Sequence, residues 1–302
     1  IIRLDSDFGV NVTVFTPDGK TLILGGNRGV LEVWDVASGR MVRRFEDNNA
    51  QVNENGETVH SSYFSGALTL TGDTIASGGD DRTIQIWDVA SGRLLRTLDR
   101  HSVANTLLTI SPDLKTIAMS VEESPVTLWD TNSARRICQL EGSKDQEVKP
   151  VYSPDASMLA SYIYIVDDNK EKILESDIKV WDAVSGRLLY RLEMNINNYV
   201  RPGGIAFSPD SKLIAAQIDG STLRLWDTAT GKTARNFRGH GYASVLAFSP
   251  DGKSLAGGCG DGAIALWDLE SGQSRKIPAH TNSIRAIAYS TDGKMIATGD
   301  ND

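Results

Sequence analysis

The chain has 302 residues, 40% of them apolar, enough for one large domain or two of ordinary size around a substantial core. Its 31 Lys and Arg stand against 39 Asp and Glu, a formal net charge of −8 at pH 7, which argues against a nucleic-acid backbone or an anionic membrane as the main partner. Two cysteines, Cys138 and Cys259, exclude a disulfide-dense scaffold. No CxxC marks redox work or structural zinc, and no apolar run is long enough to cross a membrane.

The chain opens on Ile1 rather than Met, and Ile1 to Leu4 already read as a strand. It closes on Gly299-Asp300-Asn301-Asp302, which is turn chemistry with nothing after it. Both ends therefore read as those of a fragment of a longer polypeptide. No targeting peptide is visible, and a cytoplasmic location is expected.

Between the ends an internal repeat organises everything. Trp-Asp occurs at Trp34-Asp35, Trp87-Asp88, Trp129-Asp130, Trp181-Asp182, Trp226-Asp227 and Trp267-Asp268, with gaps of 53, 42, 52, 45 and 41 residues. All six Trp of the chain belong to this set, so chance is a poor explanation. Alternating stretches such as Thr83-Ile84-Gln85-Ile86 and Thr222-Leu223-Arg224-Leu225 run into the Trp and predict strands. Five of the six Trp are followed five residues later by Gly: Gly39, Gly92, Gly186, Gly231 and Gly272. Ahead of Trp positions stand Thr16-Pro17-Asp18-Gly19, Ser111-Pro112-Asp113, Ser153-Pro154-Asp155, Ser208-Pro209-Asp210 and Ser249-Pro250-Asp251-Gly252. Pro presets φ and Asp or Gly closes the turn, so each is a hairpin corner.

One unit thus holds four short strands. In the sixth these are predicted near Ser244 to Phe248, Ser254 to Ala256 and Ala263 to Trp267, with an outer strand after the Ser271-Gly272 turn. A lone sheet of this kind cannot bury both faces. Stacking such sheets around a ring covers the faces and leaves few exposed edges.

These residues resemble the WD-repeat β-propeller family over nearly the whole chain. The resemblance implies an all-β single domain, 1–302, of four-stranded antiparallel blades. Seven blades are expected, the last built from both termini and lacking one strand in this chain. It also implies a buried network in each blade, in which a His, a Ser or Thr, an Asp and the Trp satisfy one another once desolvated. Carried over, His240, Asp261 and Trp267 match in blade 6, where Gly257 stands in place of the hydroxyl. Ser77, Asp81 and Trp87 match in blade 2, and His101 and Trp129 in blade 3, where Glu123 replaces Asp. His280 and Asp302 occupy the corresponding places in the last unit, while Trp34 keeps little company because Arg28 stands where its Asp would be. With networks this incomplete, apolar stacking is expected to carry blade stability.

Catalytic chemistry is not indicated. Three of the four His occupy the repeat-phased position, and His60 has no evident companions. No HExxH, GxSxG or phosphate-cradling loop occurs in a chemical context. The adjacent carboxylates Asp80-Asp81 and Asp167-Asp168 read as turn residues rather than metal ligands, Cys138 and Cys259 as packing residues. No metal and no cofactor is implied.

Three insertions depart from the repeat. One, a polar loop, precedes the inner strand near Ala67; another separates strands two and three of blade 4 after Val166; a third runs from Met194 to Gly203. In the architecture the resemblance implies, all three emerge on one end of the ring, the end that family members use to hold partners. Candidate contacts there are Arg28, Asp80, Glu122, Asp219 and Asn301, flanking turns into third strands, and Tyr199, Arg201, Tyr242, Asn282 and Arg285, near entries to inner strands. Tyr and Arg join apolar area to directed hydrogen bonds and so anchor interfaces well. The expected function is a non-enzymatic scaffold or sensor that holds a protein or peptide. The alternative is a ligand-binding or enzymatic ring using its central channel, with nucleic acid ranked third.

Overall fold

The computed structural model of the chain describes residues 4, 6–26, 30–45, 51–52, 58–59, 65–68, 74–78, 84–98, 106–121, 124–133, 135–141, 146–147, 150–166, 173–194, 203–219, 222–239 and 241–300. Every regular element among them is a β-strand, and every pairing is antiparallel. From inner to outer strand, blade 1 comprises Val10–Phe15, Thr21–Gly26, Leu31–Asp35 and Arg40–Phe45. Blade 2 comprises Ser65–Leu68, Thr74–Gly78, Ile84–Asp88 and Leu94–Leu98. Blade 3 follows with Thr106–Ile110, Thr116–Val121, Ser124–Asp130 and Arg136–Gln139. Blade 4 is built from Val151–Tyr152, Met158–Val166, Ile173–Asp182 and Leu188–Glu193, and Gln146–Glu147 joins it as a fifth strand. Blade 5 consists of Ile205–Phe207, Leu213–Gln217, Thr222–Asp227 and Thr233–Arg238. Blade 6 has Ala243–Phe248, Ser254–Cys259, Ala263–Asp268 and Ser274–Pro278, close to the strands predicted for it.

The expected count of seven blades, the last lacking one strand, is not reached among the described residues. The described residues give six, followed by a two-stranded sheet of Ala286–Tyr289 and Ile296–Gly299. This small sheet lies between blade 6 and blade 1 and closes the ring: Ala286–Tyr289 touches the inner strands of both. The Val10 amide donates to the Asp300 carbonyl at 2.7 Å, and a Cβ placed on Gly299 would lie 2.5 Å from a Val10 methyl. Only a glycine allows that approach. Of the strand expected at Ile1 to Leu4, residues 1–3 lie outside the described residues; Leu4 packs against the core shared by Phe8, Val10, Trp34 and Ala286.

The Trp phasing has a direct structural meaning. Each Trp lies in a third strand opposite an aliphatic residue of the second: Leu22, Ile75, Ile117, Leu159, Ile214 and Leu255 in blades 1 to 6. Five of the six are buried, and Trp129 is half-buried. The core accordingly divides into clusters between neighbouring blades rather than one central mass. Ile178, Val180 and Leu192 of blade 4 meet Phe207, Ile214 and Trp226 of blade 5, and Leu223, Leu225 and Phe237 of blade 5 meet Leu246, Leu255 and Trp267 of blade 6.

The hairpin corner between inner and second strands recurs with one hydrogen-bond pattern. In blade 6 the Ser249 hydroxyl donates to Asp251 Oδ1 (2.6 Å) and accepts the Ser254 amide (2.9 Å). Ser111, Ser153, Ser208 and Ser290 repeat both bonds, and Thr16 does so in blade 1. The residue after the Asp is left-handed in each: Gly19, Leu114, Ala156, Ser211, Gly252 and Gly293, with φ from 60° to 70°.

Two insertions expected as loops contain strands. Within the first, Gln51–Val52 pairs with Thr58–Val59. In blade 4, residues on both sides of the insertion continue the ladder out to Val166 and Ile173, because Tyr162-Ile163-Tyr164-Ile165-Val166 is β-branched and aromatic throughout.

Candidate functional site

Antiparallel order places the second-to-third and outer-to-inner connections on one end of the ring. Four of the candidate contacts can be located there. Asp219 follows the second strand of blade 5 and is half-buried. Tyr242, half-buried, enters the inner strand of blade 6, and its carbonyl accepts the Gly260 amide at 3.1 Å. Asn282 and Arg285, both exposed, lead into the two-stranded sheet, where the Arg285 amide donates to the Gly299 carbonyl at 2.8 Å. The structure thus gathers these four on blades 5 and 6 and the adjoining sheet. The candidates Arg28, Asp80, Glu122, Tyr199, Arg201 and Asn301 lie outside the described residues, as do the network positions Asp81, His101, His240 and Asp302. Ser77 is described through its backbone, which pairs with Gly66.

Blade 6 corrects the expected network. Asp261 is not buried: its side chain is 58% exposed, and its carboxylate is held by Lys276 Nζ of the outer strand and the Ala263 amide. The Lys276 hydrogen bond keeps this carboxyl below the usual carboxylate range. Trp267 Nε1 instead donates to the Arg238 carbonyl at 2.9 Å, at the end of the outer strand of blade 5. The indole packs closely over Gly257, where a Cβ would lie 2.9 Å from Trp267 Cζ3. The indole thus takes its partner from the neighbouring blade. Trp181 does likewise, donating to the Glu141 carbonyl at 2.9 Å.

In blades 1 and 3 the Trp finds an acceptor two residues back on its own strand. Trp129 Nε1 donates to Thr127 Oγ1 at 2.9 Å. Trp34, expected to have little company, donates to Glu32 Oε2 at 2.9 Å, and Glu32 also meets Arg44 Nη1 at 3.4 Å. Arg44 reaches on to Asp7 at 3.1 Å. Glu32 is 2% exposed, and burial pushes its carboxyl above the ordinary value despite the Trp34 and Arg44 bonds. The i−2 spacing was visible in sequence, but it carried no signal there because the residue varies from blade to blade. Trp87 is buried and stacks on Phe45 of blade 1, ring centroids 6.2 Å apart.

A fuller network forms in the two-stranded sheet. His280 Nε2 meets Thr298 Oγ1 at 2.8 Å, and His280 Nδ1 meets Asp300 Oδ2 at 3.2 Å. The carboxylate here is Asp300; the expected Asp302 lies outside the described residues. Hydroxyl, imidazole and carboxylate in this order also occur in hydrolase triads. Here the imidazole comes from the connection leaving blade 6, and both its neighbours sit on or just after Ile296–Gly299, so the three groups staple a connection to a strand. Among the described residues no three His, Cys, Asp or Glu side chains gather as metal ligands would.

Neighbouring blades are also clasped along their outer strands. Arg43 Nη1 donates to the Ala90 carbonyl (2.8 Å), Arg96 to Thr131 and Asn132, and Arg235 to Leu269 (2.5 Å). Tyr190 OH does the same to Thr228 at 2.6 Å. These four occupy one register position, each paired with the residue before a Trp: Val33, Ile86, Leu225 and Val180.

Comparison with known proteins agrees with this architecture. A family profile described as WD domain, G-beta repeat matches residues 58–88, 231–268 and 272–302. The chain is 26% identical over 233 residues to apoptotic protease-activating factor 1 of Rattus norvegicus, covering 75% of this chain and 17% of that protein. It is 25% identical over 237 residues to nuclear distribution protein nudF of Aspergillus niger, covering 73% of this chain and 52% of the relative. To autophagy-related protein 16 of Arabidopsis thaliana it is 28% identical over 172 residues, 56% of this chain and 31% of the relative. The chain therefore spans about half of these relatives or less.

Proposed function

Since the chain belongs to the WD-repeat β-propeller family, we propose that it is a non-enzymatic interaction module holding a protein or peptide on the end of the ring where the second-to-third connections emerge. The observation that carries this reading is the hairpin of blade 4. Its second and third strands run for 9 and 10 residues, against 5 to 7 in the other five blades. At about 3.3 Å per residue, the excess raises a ladder roughly 10 Å beyond the neighbouring blades. Gln146–Glu147 pairs with its far part, at Tyr164 and Ile163. A ring locked by stacked sheets, carrying a wall on one end beside Asp219, Tyr242, Asn282 and Arg285, offers a partner shape and directed hydrogen bonds without requiring chemistry.

The test is affinity capture with the intact chain and with Arg285→Glu and Tyr242→Ala variants whose melting is unchanged. Loss of one specific partner from a variant supports the reading. An unaltered partner profile removes it, and turnover of a substrate by the purified chain overturns its non-enzymatic part.

In the same proposal, the two-stranded sheet is the inner half of a seventh blade. Support comes from the hairpin corners, which stack in order around the ring: Gly252 faces Pro209, Gly293 faces Pro250, and Gly19 faces Thr291. Slow hydrogen exchange at the amides of Ile296–Gly299 that do not bond to Ala286–Tyr289 supports a third strand beside them; fast exchange there removes it.

A further inference from the structure

We propose that the circumference of blades 1 to 4 is a second docking surface, suited to an acidic protein segment rich in aliphatic side chains. In five successive blades the outer strand carries one extra residue against its neighbour, a β-bulge at the same register position. In blade 1, Val33 pairs with Arg43 and Trp34 with Met41, leaving Val42 over. Leu95, Ile137, Leu189 and Ala234 are left over in the same way in blades 2 to 5. Blade 6 has no bulge there. All five extra residues are apolar and project outward. Val42 is 65% exposed, Leu95 44%, Ile137 46% and Leu189 36%, with Met41 and Leu94 exposed beside the first two.

Single exposed aliphatics are ordinary. A row of them at one register position is a surface. Outer strands are commonly guarded against association by charge, Pro or a bulge that twists the edge away. A large aliphatic side chain on the bulge works against such guarding. Because the bulge also interrupts the ladder, a partner is met here through side chains rather than by an added strand.

Charge sets the character of that partner. The outer strands of blades 1 to 4 carry six Arg against one acid, Glu193, in a chain whose net charge is −8; Arg44 also meets Asp7 and Glu32, and Arg191 meets Asp177. Two residues before each bulge stands a further or included cation: Arg40, Arg93, Arg135, Arg187 and Lys232. The turn carboxylates close by, Asp35, Asp88, Asp130 and Asp182, keep their charge while bonded to a Ser hydroxyl and amide of their own turns, and offset part of this excess. Just beyond the outer strands the sequence turns acidic again, at Glu46-Asp47, Asp99 and Glu141. The cationic, aliphatic strip is therefore narrow and flanked by acid, which fits a chain laid along it better than a planar anionic membrane.

The probe is a fluorescein-labelled peptide of alternating glutamate and leucine, followed by anisotropy with the intact chain. A lysine-for-glutamate peptide and phosphatidylserine vesicles serve as comparisons. The glutamate peptide should bind and weaken as salt is raised. Combining Val42→Asp with Leu95→Asp should raise its Kd about tenfold or more, the loss expected when desolvated aliphatic contacts are removed. Lys294→Gln, at an exposed hairpin corner away from both surfaces, should leave it unchanged. Val42→Thr with Leu95→Thr supplies a milder pair should the Asp variant melt early. Equal binding of the lysine peptide, unchanged affinity in both rim variants, or sedimentation with vesicles in place of peptide binding overturns the proposal. Since this surface is not the end carrying the blade 4 hairpin, capture lost with Arg285→Glu and peptide binding lost with the rim variants report separately.

Discussion

The hairpin corners allow backbone strain to be separated from side-chain packing within one molecule. Ala156 and Gly252 hold equivalent places in blades 4 and 6, with φ of 61° and 69°. Left-handed backbone costs a residue bearing Cβ roughly 1–2 kcal/mol, whereas glycine loses about 0.5–1 kcal/mol of extra chain freedom on folding. Ala156→Gly should therefore stabilise the chain by about 0.5–1 kcal/mol, and Gly252→Ala should destabilise it by a similar amount. Space is not the obstacle in the second variant: a Cβ on Gly252 would meet Pro209 Cδ at 3.8 Å, an ordinary contact. The measurement is urea unfolding followed by the fluorescence of the six Trp, read as the midpoint at constant slope. The two variants should move the midpoint in opposite directions. If Ala156→Gly lowers it while Gly252→Ala leaves it in place, the Ala156 methyl is worth more as packing than its backbone costs, and the reasoning fails.

Ser249→Ala should cost about 1–3 kcal/mol, because it strands the Ser254 amide and releases Asp251, whereas Ser38→Ala at an exposed turn should cost less; equal losses in urea titrations would contradict this. Gly258→Ala should destabilise by about 1–3 kcal/mol through overpacking, since its Cβ would run into Ile284 beside the two-stranded sheet and Val245; an unchanged melting temperature would show that this contact gives way. Glu32 binds its proton more tightly when folded, so its contribution is full at low pH and declines as pH rises through its raised folded value. Glu32→Gln, still able to accept from Trp34, should therefore gain stability relative to the parent as pH rises from about 4 to 7, and a difference flat in pH would refute the burial argument. The hairpin and turn carboxylates, Asp251 and Asp88 among them, have the opposite sign: hydroxyl and amide bonds lower their folded values, so the stability they add is present above the ordinary carboxylate value and lost as pH falls through the lowered ones. Acid unfolding should thus begin below the ordinary range and move to higher pH in Ser249→Ala, as circular dichroism would show.

The sequence by itself determined the repeat, the strand order within each blade and the hairpin corners. These depend on local chemistry: alternation over a few residues, Pro and Asp at a corner, and a Trp whose size demands a neighbouring sheet. Tertiary structure decided how each polar group buried by that stacking is satisfied. Trp267 and Trp181 take carbonyls from the preceding blade, Trp34 a carboxylate on its own strand, and His280 the Asp300 carboxylate. The Asp261 carboxylate turns outward to Lys276, while the Trp267 indole packs over Gly257. Likewise, the repeated phrase around Val42, Leu95, Ile137 and Leu189 reads as ordinary strand alternation in sequence. Only pairing against the third strand turns each of these residues into a bulge and sets them in a row on the rim. Register between strands is a non-local property, fixed by how sheets stack rather than by any one strand.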